Sequence, residues 1–267
     1  MPRTFGFIGT GNMGSALAKA AARTLDPTSI ILSNRTMEKA KALAEELNCR
    51  YAAKDFIAQT FSYIFLGVKP QMMGELLKEI APILAARTDR FVLVSMAAGL
   101  TMADIRTMAG SDYPVIRIMP NTPVAVGAGM ILYNSADVSE EELDFFRHGL
   151  SAAGEMDLLE EDLFDAGTAV AGCGPAFADL FLEALTAGGV AEGLPKEKAL
   201  SYAISMMMGA AKLAQETGKD PADLRKAVCS PGGATLAGID AMEAKGFSAA
   251  AEAAIPAAVK RSKELRN

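Results

Sequence analysis

The 267-residue chain has one histidine, three cysteines and no excess of basic charge. Each shortage removes a class of function. Lys and Arg number 26 against 32 Asp and Glu, a net charge of −6. A protein that neutralises a nucleic-acid backbone is ordinarily basic, so no nucleic-acid partner is expected. Cys49, Cys173 and Cys229 are widely spaced, with no C-x-x-C. That spacing indicates neither a metal site nor a disulfide framework, and free thiols fit a reducing compartment. With only His148 in the chain, no Cys/His nucleophile is expected, and the thiols read as packing residues. Long apolar runs are also scarce. Asp179, Glu183 and Lys212 interrupt the helical stretches, short of the ~18 residues a membrane span needs. Met1-Pro2-Arg3-Thr4 shows no charged-then-apolar leader. These absences lead to the expectation of a cytoplasmic protein without a membrane partner. A composition 51% hydrophobic and 22% charged excludes disorder.

What is present falls into two halves. Up to about residue 160, short apolar runs alternate with helical patterns. Strands are predicted at Phe5–Ile8, Ser29–Ser33, Tyr63–Leu66, Phe91–Val94, Val115–Met119 and Met130–Tyr133. Helices are predicted at Asn12–Arg23 and Met37–Leu47, and from a Ser139/Glu142 capping box to Leu150. That alternation predicts a doubly wound α/β domain over residues 1–160. Beyond it the β signal stops. Phe177, Leu180, Phe181, Ala184 and Leu185 recur at helical spacing, as do Leu200, Ala203, Ile204, Met207 and Met208. Gly174-Pro175, Leu194-Pro195 and Asp220-Pro221 look like helix starts, and Gly193, Gly218 and Gly246 like helix stops. Residues 161–267 therefore read as an all-helical domain. The Ile204–Ala211 segment is apolar nearly all round, and a second subunit is the expected cover.

Gly9-Thr10-Gly11-Asn12-Met13-Gly14 is a G-x-G-x-x-G between a strand and a helix, the context in which the motif binds a dinucleotide. Gly9 allows a tight turn, Gly11 lets backbone approach a pyrophosphate, and Gly14 lets the helix pack on the strand. The helix N-terminus offers bare amides to the phosphates. At the end of the next strand an NAD site would carry an acid for the ribose. Ser33-Asn34-Arg35-Thr36 has none, and Arg35 can take a 2′-phosphate. NADP(H) is expected in preference to NAD(H), with NAD(H) still usable. Val68-Lys69-Pro70, Ala97-Ala98-Gly99 and Met119-Pro120-Asn121-Thr122-Pro123 end later strands, where ligands of such sheets lie.

A second anion site is predicted at Ser230-Pro231-Gly232-Gly233-Ala234-Thr235, read as a helix start with Ser230 as N-cap and Pro231 first in the helix. Two glycines in a helical first turn cost stability, which points to a ligand close to backbone. A small carboxylate fits there, with the Thr235 hydroxyl nearby.

These motifs, in order and spacing, resemble the pyrroline-5-carboxylate reductase family over essentially the whole chain. The most specific match runs from Asp223-Leu224-Arg225 through Val228–Thr235 to Ile239-Asp240. The nucleotide loop, Ser33-Asn34-Arg35, Val68-Lys69-Pro70, Ala97-Ala98-Gly99 and Gly172-Cys173-Gly174-Pro175-Ala176 support it. The resemblance implies reduction of 1-pyrroline-5-carboxylate to L-proline, the final step of proline biosynthesis. It implies a Rossmann-like domain and a helical dimerisation domain, as a homodimer or a decamer. It places the substrate carboxylate at Ser230 and the turn of Gly232, Gly233 and Ala234, with Thr235 hydrogen-bonded to the ring nitrogen. It places the cofactor at Gly9, Thr10, Gly11, Asn12, Met13, Asn34, Arg35, Val68, Lys69, Pro70, Ala97, Ala98 and Gly99. Cys173 and Phe177 depart from the family, which often has Ser and Tyr there. Two rivals stand beside this reading. A β-hydroxyacid dehydrogenase would need a lysine in Phe164–Glu183, which has none. A non-catalytic NADP-binding protein would not need the second anion turn.

Overall fold

A computed structural model describes residues 3–264. The first of two compact units holds residues up to Cys173 together with those from Ala258 onward; the second holds Gly174–Ala257. The first unit opens with β1 (Phe5–Ile8), α1 (Asn12–Ala21), β2 (Ile30–Ser33) and α2 (Met37–Leu47). It continues with β3 (Arg50–Tyr51), α3 (Lys54–Thr60), β4 (Tyr63–Leu66), α4 (Pro70–Ala85), β5 (Val92–Ser95) and α5 (Met102–Ala109). After β6 (Val115–Pro120) come β7 (Gly129–Ala136), α6 (Glu140–Gly149) and β8 (Gly154–Leu158).

The eight strands form one sheet in the order β3-β2-β1-β4-β5-β6-β7-β8. Strands β1, β2, β4 and β5 are buried along their whole length, as their unbroken apolar runs require. Alternate side chains feed two cores. Phe5, Phe7, Tyr63 and Phe65 pack with α1, α2 and α6 on one face. Ile8, Ile64 and Leu66 pack with α3, α4 and α5 on the other. Phe7 stacks on Phe65 at 4.3 Å between ring centroids. The predicted α/β doubly wound sheet is therefore what forms.

Strand β7 runs antiparallel to β6. The link between them, residues 121–128, is too short for the dozen or more residues a parallel crossover needs. The polar edge strands β3 and β8 carry no apolar run, so no strand is predicted there from sequence. Arg117, inside β6, is 1% exposed. Its guanidinium meets Glu161 at 3.0 Å and lies 4.4 Å from the centre of the Phe164 ring.

The helical part begins with α7 (Phe164–Gly167), a π-helical turn at Thr168–Gly172 and α8 (Gly174–Ala191). Then follow α9 (Lys196–Thr217), α10 (Pro221–Ala227), α11 (Ala234–Ala244) and α12 (Phe247–Glu264). Gly193, Gly218 and Gly246 follow helices at φ +93°, +60° and +78°, the left-handed stops their positions predict. Gly174-Pro175 opens α8 as expected, directly after the π-helical turn. Residues 161–191 make one helical run, long and apolar enough by length and composition to cross a membrane. Asp179 and Glu183 do not break this run, contrary to the sequence expectation, because two acids leave its apolar content high. At the far end, α12 comes back to the first unit, where the buried Ser262 hydroxyl donates to Asp165 at 2.8 Å.

Candidate functional site

Parallel pairing sets Ile8 level with Ser33 and Leu66, and Leu66 level with Ser95. Every loop leaving these strands thus emerges at one edge of the sheet. Between β1 and β4 the strand order reverses, and a ligand crevice opens at such a point. Sequence reasoning put Gly9–Met13, Asn34–Arg35, Val68–Pro70 and Ala97–Gly99 on these loops. The topology brings all four groups together.

The glycines are required by crowding. Gly9 holds φ +103°, and a Cβ there would lie 2.4 Å from the Gly67 carbonyl oxygen. A Cβ on Gly14 would lie 2.2 Å from the Gly9 oxygen, so α1 can approach β1 only through glycine. Gly11 differs: a Cβ there would meet nothing within 4 Å. The space above it is open to a ligand. Gly11 also caps α1 without a side chain, and no acid sits in the first turn. The first amides of α1 are left to an anion. Beside them Thr10 is buried and its hydroxyl has no protein partner. An unpartnered hydroxyl beside uncapped amides and the open space at Gly11 fits an anionic cofactor at this loop.

The Gly9 amide donates to the Ser33 carbonyl at 2.8 Å, which ties the loop after β2 to the glycine loop. Arg35 is exposed there, with no ion pair among the described residues. Lys69 caps α4, Pro70 is its first residue and Gly99 turns at φ +82°. The Asn121 side chain is consumed internally, with its amide on the Ala171 carbonyl and its oxygen on the Met130 amide.

In the second unit the Ser230–Thr235 segment needs a correction. Ser230 is not the N-cap and Pro231 is not in the helix. Gly233 is the N-cap, and α11 starts at Ala234. Proline at the second position and Gly232 at φ +70° in the third make a turn, closed by the Gly233 amide on the Ser230 carbonyl at 2.9 Å. The glycines therefore serve the turn and carry no helix penalty. A Cβ on Gly233 would sit 2.6 Å from the Ser230 hydroxyl oxygen. No side chain caps α11 and no acid lies in its first turn. Ser230 and Thr235 are both exposed, on either side of this uncapped helix start.

The thiols stay outside this chemistry. All three are free, and burial pushes the Cys49 thiol up to about 11, which leaves it protonated and inert. His148 is exposed in the last turn of α6, as its position predicts. The pairing of buried Arg117 with half-buried Glu161 escaped sequence reading. A lone arginine between apolar neighbours was the available signal.

Residues 161–265 match the family model described as pyrroline-5-carboxylate reductase dimerisation. Residues 4–99 match that of NADP oxidoreductase, coenzyme F420-dependent. A pyrroline-5-carboxylate reductase of Pisum sativum is 37% identical over 98% of this chain and 96% of its own. That of Escherichia coli is 34% identical over 99% of both. Among solved structures, the Coxiella burnetii pyrroline-5-carboxylate reductase superposes with a TM-score of 0.90 at 30% identity, covering 99% of each chain. The Plasmodium falciparum enzyme, solved with NADP bound, gives 0.87 at 28% identity over 99% of this chain and 98% of that one. Aquifex aeolicus prephenate dehydrogenase, at 13% identity and a TM-score of 0.53, shares the fold alone. A chain matched end to end at this level, with the same two-part architecture, belongs to the pyrroline-5-carboxylate reductase family.

Proposed function

We propose that this protein reduces 1-pyrroline-5-carboxylate to L-proline with NADPH, the final step of proline biosynthesis. The observation that carries the reading is a pair of helix starts with bare amides, α1 behind Gly11 and α11 behind Gly233. The family's reaction brings together a dinucleotide cofactor and a small ring acid, and these two starts suit the two anions. NADP(H) would be held by Gly9–Met13, Asn34, Arg35, Val68–Pro70 and Ala97–Gly99. Bound there, its reduced nicotinamide supplies a hydride to the imine carbon.

The chain's own part is orientation. The α11 amides and the Ser230 hydroxyl hold the carboxylate, with the Gly232–Ala234 backbone close to it. The Thr235 hydroxyl hydrogen-bonds the ring nitrogen and fixes which face of the ring is presented. A hydroxyl is too weak an acid to be the sole proton source, so water delivers the proton to nitrogen. Proximity of the reacting atoms can supply several kcal/mol without a strong protein acid.

A homodimer is part of the reading. Leu180, Met206 and Met208 are 66%, 49% and 68% exposed on α8 and α9. So much bare apolar surface on a domain of this family fits a second copy of the chain as its cover. Three free thiols fit the reducing cytoplasm.

Following NADPH absorbance with 1-pyrroline-5-carboxylate tests the reaction; no turnover above the substrate-free rate refutes it. Thr235→Ala should lower kcat/KM about tenfold or more, the worth of one lost hydrogen bond, with NADPH binding retained. An unchanged kcat/KM removes Thr235 from the mechanism.

A further inference from the structure

The π-helical turn at Thr168–Gly172 has a covalent cause. The Cys173 amide donates to the Thr168 carbonyl at 2.9 Å, five residues back instead of four. Pro175 has no N–H, so the Ala171 carbonyl, four residues before it, loses its helical donor, and the proline ring crowds that carbonyl. Asn121 replaces the missing donor. Its Nδ2 donates to the Ala171 oxygen at 3.0 Å, while its Oδ1 accepts from the Met130 amide at 2.9 Å. Asn121 is 9% exposed. A primary amide donates and accepts at once, which neither a hydroxymethyl nor a carboxylate can do over this span.

The clamp lies beneath the strand-end rim. Met119, Leu132 and Phe164 form a small apolar cluster on which Ala98 and Ala171 pack. A Cβ on Gly172 would lie 3.9 Å from Met119 Cγ. Ala98 belongs to the Ala97–Gly99 loop, so that loop, the end of β6 and the π-turn are one packed piece. A regular α-helix through 168–172 would turn Ala171 and Gly172 about 100° away from Met119, one residue's rotation.

We propose that Asn121 is a positioning residue of the reductase: by binding the Ala171 carbonyl that Pro175 orphans, it holds the π-turn against Met119 and Ala98, next to the Ala97–Gly99 loop that would carry the cofactor. This rests on the function proposed above. The rim would orient the cofactor's reactive end, whereas the glycine loop would hold its phosphates. A shift of the rim therefore lowers kcat and spares cofactor binding.

The test uses the full chain with Asn121→Asp, Asn121→Ala, Pro175→Ala, and Asn121→Ala combined with Pro175→Ala. Asn121→Asp keeps the acceptor for Met130 and loses the donor; its kcat should fall tenfold to a hundredfold, with the NADPH Kd within about twofold of the parent. In the double variant residue 175 regains an N–H for Ala171. It should recover part of the melting temperature that Asn121→Ala loses, the part due to the Ala171 carbonyl and not that due to the Met130 amide, yet not kcat, because the turn becomes a regular helix. Three results overturn the proposal: an unchanged kcat in Asn121→Asp, joint recovery of melting temperature and kcat in the double variant, or strictly additive melting-temperature losses. Should Asn121→Ala fail to fold, Asn121→Asp and the double variant still decide. If the parent chain does not reduce the imine, the functional reading fails; non-additivity of the melting temperatures then reports on the clamp alone.

Discussion

Arg35 stands exposed at the end of β2 with no carboxylate opposite it. A planar guanidinium there can grip a 2′-phosphate with two hydrogen bonds, and no acid repels that phosphate. Arg35→Ser should raise KM for NADPH about tenfold and leave KM for NADH unchanged, since the lost charge-assisted bonds touch only the phosphate. Equal changes with both cofactors would assign Arg35 to the solvent. Glu142 makes a different single-residue prediction. Arg90 donates to both of its carboxylate oxygens at 2.9 Å, and the Ser139 amide adds a third bond against opposing burial. These bonds hold the Glu142 carboxyl down at about 2, from an ordinary 4.5. A depressed carboxyl stabilises the fold fully above its unfolded value and loses that contribution as pH falls from 4.5 toward 2. Because Arg90 is largely exposed, Glu142→Gln should cost about 1 kcal/mol at pH 7. Urea melts at pH 7 and pH 2.5 should show that gap closing; a constant gap would deny the linkage. At this scale the glycines were the legible residues. Gly9 and Gly14 are dictated by backbone crowding that the G-x-G-x-x-G spacing already encodes. Asn121 was not legible, because its partners sit on the Ala171 carbonyl and the Met130 amide, remote in sequence.

Elements announced themselves where their period was pure. Strands β1 and β4 and helix α2 start and end where periodicity puts them, since β1 and β4 are apolar throughout and α2 has one clean buried stripe. Edge strands β3 and β8 have only pairing to define them, and local sequence does not report pairing. The start of α11 was misjudged by three residues because Ser230 and Pro231 suit a helix start and a turn equally well. Gly232 at positive φ decides for the turn. On α9, the apolar Ile204–Ala211 segment predicts a cover, and Met208 is the most exposed of its large side chains. If the proposed homodimer covers this face, Met208→Glu should shift it toward monomer in light scattering, since a buried unpaired carboxylate is costly. A dimer that withstands it would move the interface off this face.

At the scale of the whole molecule the chain leaves one unit and returns to it. The second unit is inserted, not appended: the chain leaves the first unit after Cys173 and rejoins it from Ala258. Ser262, at the end of α12, is pinned to Asp165 in the first unit. A basic tail of this composition reads as a solvated helix end, yet its serine is buried; one small polar residue among lysines gives no hint of that. The consequence concerns cleavage. A single protease nick within residues 174–257 yields two fragments, and the shorter still carries the docking segment that ends in Ser262. Nicked protein should elute as one species in native gel filtration and separate only in denaturant. Ser262→Asp, which sets one acid against another, should let the short fragment escape.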